Sequence, residues 1–368
     1  MSYELLLGDC LGVMRTLPSE SVQMCCSSPP YFGLRDYQTA SWEGGSEDCD
    51  HEPDKTSPSS TLGGGKDTQG AAKFFRRTCP KCGAVRVDNQ IGLEETPEAY
   101  IAKLVEVFRE VNRLLRDDGT LWLNLGDSYN GSGGPGGWAD NKQTEGFKGE
   151  FKKYTNPNRN VSGLKPKDLI GIPWMSAFAL RADGWYLRSD IIWHKPNPMP
   201  ESVTDRPTKS HEYLFLLSKS REYFYDADAI KEPAARAGEM SGGSLKVSSG
   251  NHFLPNGSGK QNLDRFGTKP LPDDRNRRSV WTVATKPYGG AHFATFPPEL
   301  IEPCILAGSK PGDTVLDCFN GAATTGLVAL KHGRNYIGVE LNPDYVALSH
   351  KRLLGVASQQ RLFAADAL

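Results

Sequence analysis

The chain from Pro297 onward alternates between helical and extended patterns, and this alternation restricts the fold more than any other feature. The order is a helix in "PELIEPCILAGS", a strand in "DTVLDCF", a turn in "NGAATT", a helix in "GLVALKHG", a strand in "RNYIGVEL" and a helix in "PDYVALSHKRLLG". Both strands are nearly continuous apolar runs, which is typical of strands covered on both faces. The pattern predicts an α/β fold in which helices cover a doubly wound, mostly parallel sheet.

Two regions nearer the amino terminus extend the α/β pattern. The first contains the strand "YELLL", a short helix from about Cys10, and a strand that runs through "VQMCC" into "SSPPY". The second opens with Thr96 as an N-cap and Pro97 at the first helical position, which predicts a helix that ends at Gly119. A strand in "TLWLNLGD", a helix in "LIGIPWMSAFALRADG" and strands in "WYLRSDIIWHK" and "EYLFLLSK" follow.

Three polar, loop-like stretches interrupt these regions, at 38–90, 130–165 and 226–290. Loops longer than about 15 residues without structure of their own are usually functional or disordered. Between Ser244 and Gly290 there are eight Lys or Arg residues against three Asp. A basic patch of this kind can bind phosphates locally, although a solvated loop has the same composition.

The overall composition excludes a membrane-spanning chain. The 368 residues carry a net charge of −1, and no apolar run reaches the about 18 residues of a membrane span. The start, "MSYELLLGDC", lacks the basic and apolar regions of a signal peptide. We therefore expect a cytoplasmic protein with no membrane partner.

The turn in "LDCFNGAATT" has the features of a nucleoside-binding site. Asp317 ends an apolar strand, the small residues Gly321, Ala322 and Ala323 follow, and the next strand ends in Glu340. Small residues allow close approach of a ligand to the backbone, and an acid at that later position suits a ribose diol. No G-x-G-x-x-G and no Walker A lysine is present, which favours a nucleoside without a pyrophosphate. An ordinary turn with an incidental acid is the alternative.

The stretch "SSPPY", residues 27–31, predicts a rigid corner at the end of a strand. Two consecutive prolines restrict two φ angles and remove two backbone donors, so the corner presents acceptors and few donors. On its own, such a corner is more typical of a structural strand-to-loop turn.

Together the two stretches resemble the β group of DNA amino-methyltransferases, which modify exocyclic amines of cytosine or adenine. The S-adenosylmethionine motif of that family is approximately D-P-F-x-G-S-G-T-T, against "DCFNGAATT" from Asp317 to Thr325 here. The departures are Cys318, Ala322 and Ala323; all are small, but Ala323 restricts φ where the family usually has Gly. The catalytic motif, (D/N/S)-P-P-Y, matches "SPPY" and precedes the cofactor motif, as in the β group.

The resemblance implies a Rossmann-like methyltransferase fold with a circularly permuted motif order and loop insertions. It implies S-adenosylmethionine as cofactor and a set of cofactor-binding residues, with Asp9 near the adenine. These residues are Asp9, Asp317, Phe319, Asn320, Gly321, Thr324, Thr325 and Glu340. The implied catalytic residues are Ser28, Pro29, Pro30 and Tyr31.

The implied reaction is direct in-line methyl transfer to a base that has left the DNA duplex. The Ser28 hydroxyl and the Pro29 carbonyl would accept the two N–H groups of the target amine, and Tyr31 would stack on the base. No covalent nucleophile is required, so Cys25 and Cys26 have no catalytic role. Serine at the first motif position favours cytosine N4, with adenine N6 as the alternative.

The resemblance also divides the chain into segments and suggests partners. Residues 1–37 and 91–225 are expected to form the catalytic half, 38–90 an insertion, 226–290 the target-recognition region and 291–368 the cofactor-binding half. Double-stranded DNA is the expected partner, bound by Arg275, Arg277 and Arg278. A cognate restriction nuclease is a candidate second partner, and the oligomeric state stays open. A small-molecule or protein methyltransferase and a non-catalytic nucleic-acid-binding module are the rival classes.

The cysteines fall into two groups. Cys10, Cys25, Cys26, Cys304 and Cys318 lie in or beside apolar segments and are expected to be reduced core residues. Cys49, His51, Cys79 and Cys82 instead form the pattern C-x-H and C-x2-C with 27 residues between the pairs. Two short ligand pairs around a long loop predict a structural Cys3His zinc site, with free surface thiols as the alternative.

Overall fold

The structure is a computed structural model that describes residues 2–33, 39–51, 55–56, 73–74, 78–88, 90–131, 163–234, 272–286 and 295–365. The strands are β1 Tyr3–Leu7, β2 Val22–Ser27, β3 Ser41–Glu43, β4 Lys55–Thr56, β5 Lys73–Phe74, β6 Val85–Val87, β7 Leu115–Leu125, β8 Tyr186–His194, β9 His211–Ser218, β10 Glu232–Pro233, β11 Asp274–Arg275, β12 Val280–Thr282, β13 Thr314–Asp317 and β14 Asn335–Glu340. The helices are α1 Cys10–Met14, α2 Pro97–Leu114, α3 Ile172–Ala182, α4 Pro298–Gly308, α5 Thr324–Lys331 and α6 Pro343–Ala365.

The centre of the molecule is an eight-stranded sheet in the order β1-β14-β13-β2-β7-β9-β8-β12. Strand β9 pairs antiparallel with both of its neighbours, and the other pairs in the sheet are parallel. The expected mostly parallel α/β sheet is therefore confirmed. Because β13 and β14 lie between β1 and β2, the last strands of the chain are inserted beside the first ones.

Helices cover both faces of this sheet, and alternation along the strands explains why. In β2, Cys25 belongs to the core formed with α1, α2 and α3, whereas Met24 and Cys26 belong to the core formed with α4 and α5. Successive side chains of a strand point to opposite faces of the sheet. A strand in which every residue is apolar therefore packs into the cores on both faces. No helix among the described residues is long and apolar enough to cross a membrane.

The start of α2 follows the sequence prediction, but its end does not. Thr96 Oγ1 accepts a hydrogen bond from the Ala99 amide at 3.1 Å, as expected for an N-cap. The helix then stops at Leu114, and Leu115 already pairs with Val22 of β2. The predicted end at Gly119 is wrong because burial of Leu115 in the sheet overrides the helical pattern.

The predicted insertion and recognition region contribute small pieces of sheet. Within 38–90, β3 pairs with β6 and β4 pairs with β5, both antiparallel. Within 226–290, β10 pairs with β11, while β12 completes one side of the main sheet beside β8. The described parts of 1–37, 91–225 and 291–368 share the main sheet, and the carboxyl ends of its parallel strands form one edge, called here the carboxyl edge.

Candidate active site

A short hydrogen bond joins the two motifs that the sequence singled out. Ser27, the last residue of β2, donates its hydroxyl to Asp317 Oδ1 at 2.5 Å, and Asp317 is the last residue of the adjacent strand β13. The Asp317 carboxylate also accepts the Thr325 hydroxyl at 2.8 Å and the Phe319 amide at 3.1 Å. Burial raises the pKa of Asp317 to about 6, while these donors favour the charged form. The predicted cofactor turn and the predicted catalytic corner are therefore direct neighbours.

Asn320 closes the turn that follows β13. Its side-chain amide donates to the Gly321 carbonyl at 3.0 Å and to the Ser349 hydroxyl at 2.9 Å, and its Oδ1 accepts the Tyr336 hydroxyl at 2.8 Å. A Cβ on Gly338 would lie 2.5 Å from Asn320 Oδ1, so only glycine fits below the turn. Asn320 thus ties the turn to α6 and β14 rather than presenting a free side chain.

The turn passes into α5 through a residue with unusual backbone geometry. Ala323 is the N-cap of α5 and has φ 55° and ψ 40°, in the left-handed region. An L-residue there costs about 1–2 kcal/mol. Arg352 donates to the Ala322 carbonyl at 2.6 Å and to the Thr324 hydroxyl at 3.0 Å, which holds this strained start of the helix in place.

Glu340 and Asp9 lie at neighbouring strand ends on the carboxyl edge. Leu7 of β1 pairs with Glu340 of β14, and the Gly8 amide donates to the Glu340 carbonyl at 2.9 Å. The Glu340 carboxylate accepts the Gly321 amide at 2.8 Å and the Asn342 amide at 2.9 Å. Burial raises the pKa of Glu340 to about 6. Each carboxylate oxygen keeps a further lone pair for a ligand donor.

The remaining predicted cofactor residues differ in how they are used. Asp9 caps α1 through a hydrogen bond from the Gly12 amide to Oδ1 at 3.0 Å. Phe319 is partly buried against the core that contains α2. Thr325 is fully buried and bonded to Asp317, so it shapes the turn from inside.

The predicted catalytic corner, residues 27–31, is held by hydrogen bonds from surrounding elements. Tyr100 of α2 donates its hydroxyl to the Pro30 carbonyl at 2.9 Å. The Tyr31 hydroxyl lies 2.9 Å from Glu212 Oε2 and 3.1 Å from Asn124 Oδ1. Ser28 donates a long hydrogen bond of 3.4 Å to Asn124 Oδ1. Burial and the nearby Glu212 raise the pKa of Tyr31 well above its usual value.

Three further polar residues at the corner, Asn124, Glu212 and Lys195, were not predicted from the sequence. Asn124 Nδ2 donates to the Tyr213 carbonyl at 3.1 Å, which directs Oδ1 to the corner. Lys195 forms an ion pair with Glu212, and the two side chains are only 18% and 17% exposed. A polar residue inside the apolar strand "LWLNL" was the available signal for Asn124. Glu212 and Lys195 stand at strand ends and have no such local signal.

The Tyr31 ring packs directly on the backbone of β7's carboxyl end. A Cβ on Gly126 would lie 2.4 Å from Tyr31 Cε2, a distance that real side chains do not reach. Gly126 is therefore required for the position of this ring, and one side of the ring is occupied by protein.

The four predicted metal ligands come together. One ligand atom from each of Cys49, His51, Cys79 and Cys82 lies within 4.8 Å of the others. The predicted core cysteines Cys10, Cys25, Cys26, Cys304 and Cys318 are all buried and not in disulfides.

The three arginines predicted to bind DNA do not lie at the carboxyl edge. Thr282 of β12 pairs with His194 at the carboxyl end of β8, so residues before Val280 lie toward the amino end of the sheet. Arg275 is paired with Glu232 at 2.9 Å. The Arg277 guanidinium lies 4.7 Å from the centre of the Trp281 ring, and Arg278 is exposed.

Known proteins resemble this chain over most of its length. The N6_N4_Mtase family, described as DNA methylase, matches residues 22–351. The chain is 44% identical over 348 residues to the Type II methyltransferase M.XycI of Xanthomonas campestris pv. cyanopsidis, covering 95% of this chain and 86% of that protein. It is 40% identical over 353 residues to the Type II methyltransferase M.SmaI of Serratia marcescens, covering 96% of this chain and 91% of that protein.

A solved structure has the same fold. The PvuII DNA methyltransferase, named as cytosine-N4-specific, superimposes with a TM-score of 0.54 at 17% identity, covering 96% of this chain and 86% of that chain.

Proposed function

The chain belongs to the N6_N4_Mtase family of DNA methylases, and we propose that it transfers a methyl group from S-adenosylmethionine to N4 of cytosine in duplex DNA. As a DNA amino-methyltransferase of the N4/N6 family it needs a methyl donor and an amine site side by side. The observation that carries the proposal is the 2.5 Å hydrogen bond between Ser27 and Asp317, which makes the cofactor turn and the catalytic corner neighbours.

The turn and the neighbouring strand ends fit S-adenosylmethionine. This molecule supplies an electrophilic methyl group on a sulfonium and carries a ribose diol with two donors. Glu340 is held by two backbone amides and keeps lone pairs for such donors. Asp9 follows the end of β1, whose last residue pairs with Glu340, and this supports our proposal that Asp9 lies near the adenine. In this proposal Asp317, Asn320 and Thr325 act by shaping the turn.

The catalytic corner fits an exocyclic amine. The Ser28 proton points to Asn124, so the hydroxyl lone pairs are left to accept an N–H. No described residue donates a hydrogen bond to the Pro29 carbonyl, which can accept the second N–H. Two acceptors would draw the amine lone pair out of conjugation with the base ring and stabilise the positive charge that develops on nitrogen. Asn124, Glu212 and Lys195 are positioning residues behind this corner.

Access to the corner requires the target base to leave the duplex, since its amine is otherwise paired inside the helix. In this proposal the ring of Tyr31 forms one wall of the pocket for the base. Its attachment at the hydroxyl and its contact with Gly126 keep that wall rigid. Stacking on the base is proposed for the part of the ring that stays accessible.

The choice of cytosine N4 rests on Ser28. In the family that this sequence resembles, members that act on adenine N6 more often carry Asp or Asn at that position. Adenine N6 remains the second candidate, because the separation between the two groups is imperfect.

Duplex DNA is the proposed partner, and the Type II designation of the relatives supports a cognate restriction nuclease as a second one. Of the predicted DNA-binding arginines, Arg278 is exposed and Arg275 is paired with Glu232. Because these residues lie away from the carboxyl edge, we propose that Arg278 contacts a phosphate outside the target site. A cytoplasmic location stays a prediction, supported by the DNA substrate.

The test is to methylate duplex DNA with the purified protein and isotope-labelled S-adenosylmethionine, and to separate the nucleosides by mass spectrometry. Labelled N4-methylcytosine is the expected product. Ser28→Ala should abolish it, whereas Ser19→Ala, an exposed serine before β2, should not change it. Labelled N6-methyladenine would select the second candidate, and an absence of labelled nucleosides would contradict both.

A further inference from the structure

We propose that Cys49, His51, Cys79 and Cys82 bind one zinc ion that holds residues 39–51 and 78–88 together. Methyl transfer makes no use of this cluster, so the inference goes beyond the proposed function. Cys49 Sγ and Cys79 Sγ are 3.7 Å apart, and His51 Nε2 and Cys82 Sγ are 3.3 Å apart. All four ligand atoms lie within 4.8 Å of one another.

The two short separations are close to those of tetrahedral zinc, and the cluster as a whole, within 4.8 Å, is about 1 Å wider than a tetrahedron with bound metal. Zinc binds sulfur at about 2.3 Å and imidazole nitrogen at about 2.0 Å, which places ligand atoms of a tetrahedron about 3.5–3.8 Å apart. A disulfide would bring the two sulfurs to about 2.05 Å, so the 3.7 Å contact is not one. Three thiolates and an imidazole favour zinc over calcium or magnesium, which prefer oxygen ligands.

The backbone around Cys79 and Cys82 is built as a tight turn. The Gly83 amide donates to the Cys79 carbonyl at 2.9 Å, and the Cys79 amide donates to the Ala84 carbonyl at 2.8 Å. Gly83 has φ 77°, a conformation that favours glycine. The turn presents both sulfurs of the C-x2-C pair on one side without any contribution from a larger core.

The other two ligands, Cys49 and His51, follow β3, which pairs with β6. Pairing of β3 with β6 brings Trp42 opposite Arg86, and the His51 ring stacks on Trp42 with 4.6 Å between ring centres. Gly45 has φ 75°, and a Cβ on it would lie 2.7 Å from Cys82 Sγ. The chain therefore approaches the sulfur so closely that only glycine fits.

We infer that a metal stabilises this region because the described part of the insertion has almost no core. Among residues 39–51 and 78–88, the buried apolar side chains are Cys79 and Ala84. Two small side chains cannot compensate for the entropy of ordering about 24 residues, whereas zinc binding can supply that free energy. The four protein ligands fill the tetrahedral shell, so the ion has a structural role.

The insertion leaves and re-enters the main domain beside the catalytic corner. The Gly33 amide donates to the Gly92 carbonyl at 2.8 Å, and a Cβ on Gly92 would lie 3.1 Å from the Tyr31 carbonyl. We therefore expect the zinc ion to help hold the corner in position. Cofactor affinity should not depend on the ion, because Glu340 ends β14 and Asp9 follows β1. This second step rests on the proposed function, whereas zinc binding does not.

The experiment uses the full chain, purified without added chelator. Elemental analysis should find one zinc per chain, and cobalt substitution should produce the visible absorption of a tetrahedral thiolate site. Alkylation followed by peptide mapping should label Cys49, Cys79 and Cys82 only after chelation. Metal-free protein whose three thiols react equally with and without zinc would overturn the proposal, as would iron in place of zinc.

Variants in one turn provide a matched comparison. Cys82→Ser should lower the bound zinc below about one tenth of the wild-type content, whereas Lys81→Ala should retain it, because Lys81 pairs with Asp50 and is not a ligand. The cobalt spectrum of the wild type tests the site even if Cys82→Ser fails to fold. Chelation should lower DNA methylation and leave S-adenosylmethionine affinity unchanged. Full methylation by the chelated protein would overturn the link to the corner but not the zinc site.

Discussion

The hydroxyl of Tyr31 lies 2.9 Å from the Glu212 carboxylate and 3.1 Å from Asn124 Oδ1. The three residues come from the corner after β2, from β9 and from β7, and Lys195 after β8 pairs with the same carboxylate. These residues form a polar network that is largely shielded from water and holds the predicted catalytic corner in position. The free-energy contributions of these residues are strongly coupled, because removing one partner leaves the polar groups of the others without a hydrogen bond.

Tyr31→Phe should destabilise the corner while keeping the aromatic ring in place. The ring stays, but Glu212 loses a hydrogen bond to a charged acceptor, which stabilises a protein by about 1.5–3 kcal/mol. We expect a lower melting temperature and a clear loss of methylation rate, with unchanged S-adenosylmethionine affinity by calorimetry. Tyr186→Phe is the control, since that side chain is 44% exposed at the amino end of β8. A rate equal to that of wild type would remove the hydroxyl from the positioning network.

Gly126→Ala should displace the Tyr31 ring. The new Cβ would lie 2.4 Å from Tyr31 Cε2, so the ring or the strand must move. The expected result is loss of most methyl transfer, with cofactor binding retained. Gly355→Ala is the matched control because a Cβ added there, in α6, would have nothing within 4 Å, and alanine favours a helix by about 1 kcal/mol. Normal activity of Gly126→Ala would show that the ring position is unimportant.

Asp317→Ala should destabilise the site. It leaves the buried Ser27 hydroxyl without its acceptor, which costs about 1–3 kcal/mol, whereas the Thr325 hydroxyl loses the carboxylate but keeps the Cys26 carbonyl at 3.2 Å. Chemical denaturation should therefore show a loss of about 1–3 kcal/mol, accompanied by loss of cofactor binding. Asp344→Ala, an exposed change in the first turn of α6, should cost less than about 1 kcal/mol. Equal stability of the two variants would contradict the linking role of Asp317.

Cofactor affinity should fall as the pH drops through about 6. Burial raises the pKa of Glu340 to about 6, and the protonated carboxyl is a poorer acceptor for ribose hydroxyls. The charged form therefore binds, so affinity rises from pH 5 to pH 7 and then levels. Glu340→Gln should bind more weakly, by about 1–3 kcal/mol, and should lose this pH dependence. Calorimetry at several pH values measures both effects.

The pH dependence of cofactor binding by Glu340→Gln shows which of two carboxyl groups titrates. Asp317 also has a pKa raised to about 6 by burial. If the variant keeps the wild-type pH dependence, the titrating group is Asp317, and Glu340 does not bind the ribose.

Arg278→Ala and Arg275→Ala should differ in their effect on DNA binding. The exposed Arg278 can reach a phosphate, and its loss should reduce the slope of affinity against salt by about one unit. Arg275 is already paired with Glu232, so its replacement should leave the slope unchanged. Binding measured at several salt concentrations distinguishes them. If neither variant changes the slope, DNA recognition belongs to 38–90 or 130–165.

Local sequence patterns were sufficient to predict the fold class, the two motifs and the cluster of three cysteines and one histidine. Near-continuous apolar strands alternating with helical patterns can be buried only in a sheet with helices on both faces. The motif around Asp317 and the "SSPPY" corner are local, because turns and ligand spacing depend on adjacent residues. The pairs Cys49–His51 and Cys79–Cys82 were likewise recognisable from spacing alone.

The contacts between distant polar side chains could not be predicted from local patterns. Insertion of β13 beside β2 brings Asp317 to Ser27 across 290 positions of sequence. The register of β9 against β7 brings Glu212 to the corner. Pairing of β10 with β11 places Arg275 opposite Glu232. Local patterns report periodicity and backbone preference, whereas the partner of a polar group depends on strand order and register. Those are set by burial of the whole sheet, which no single segment of the chain contains.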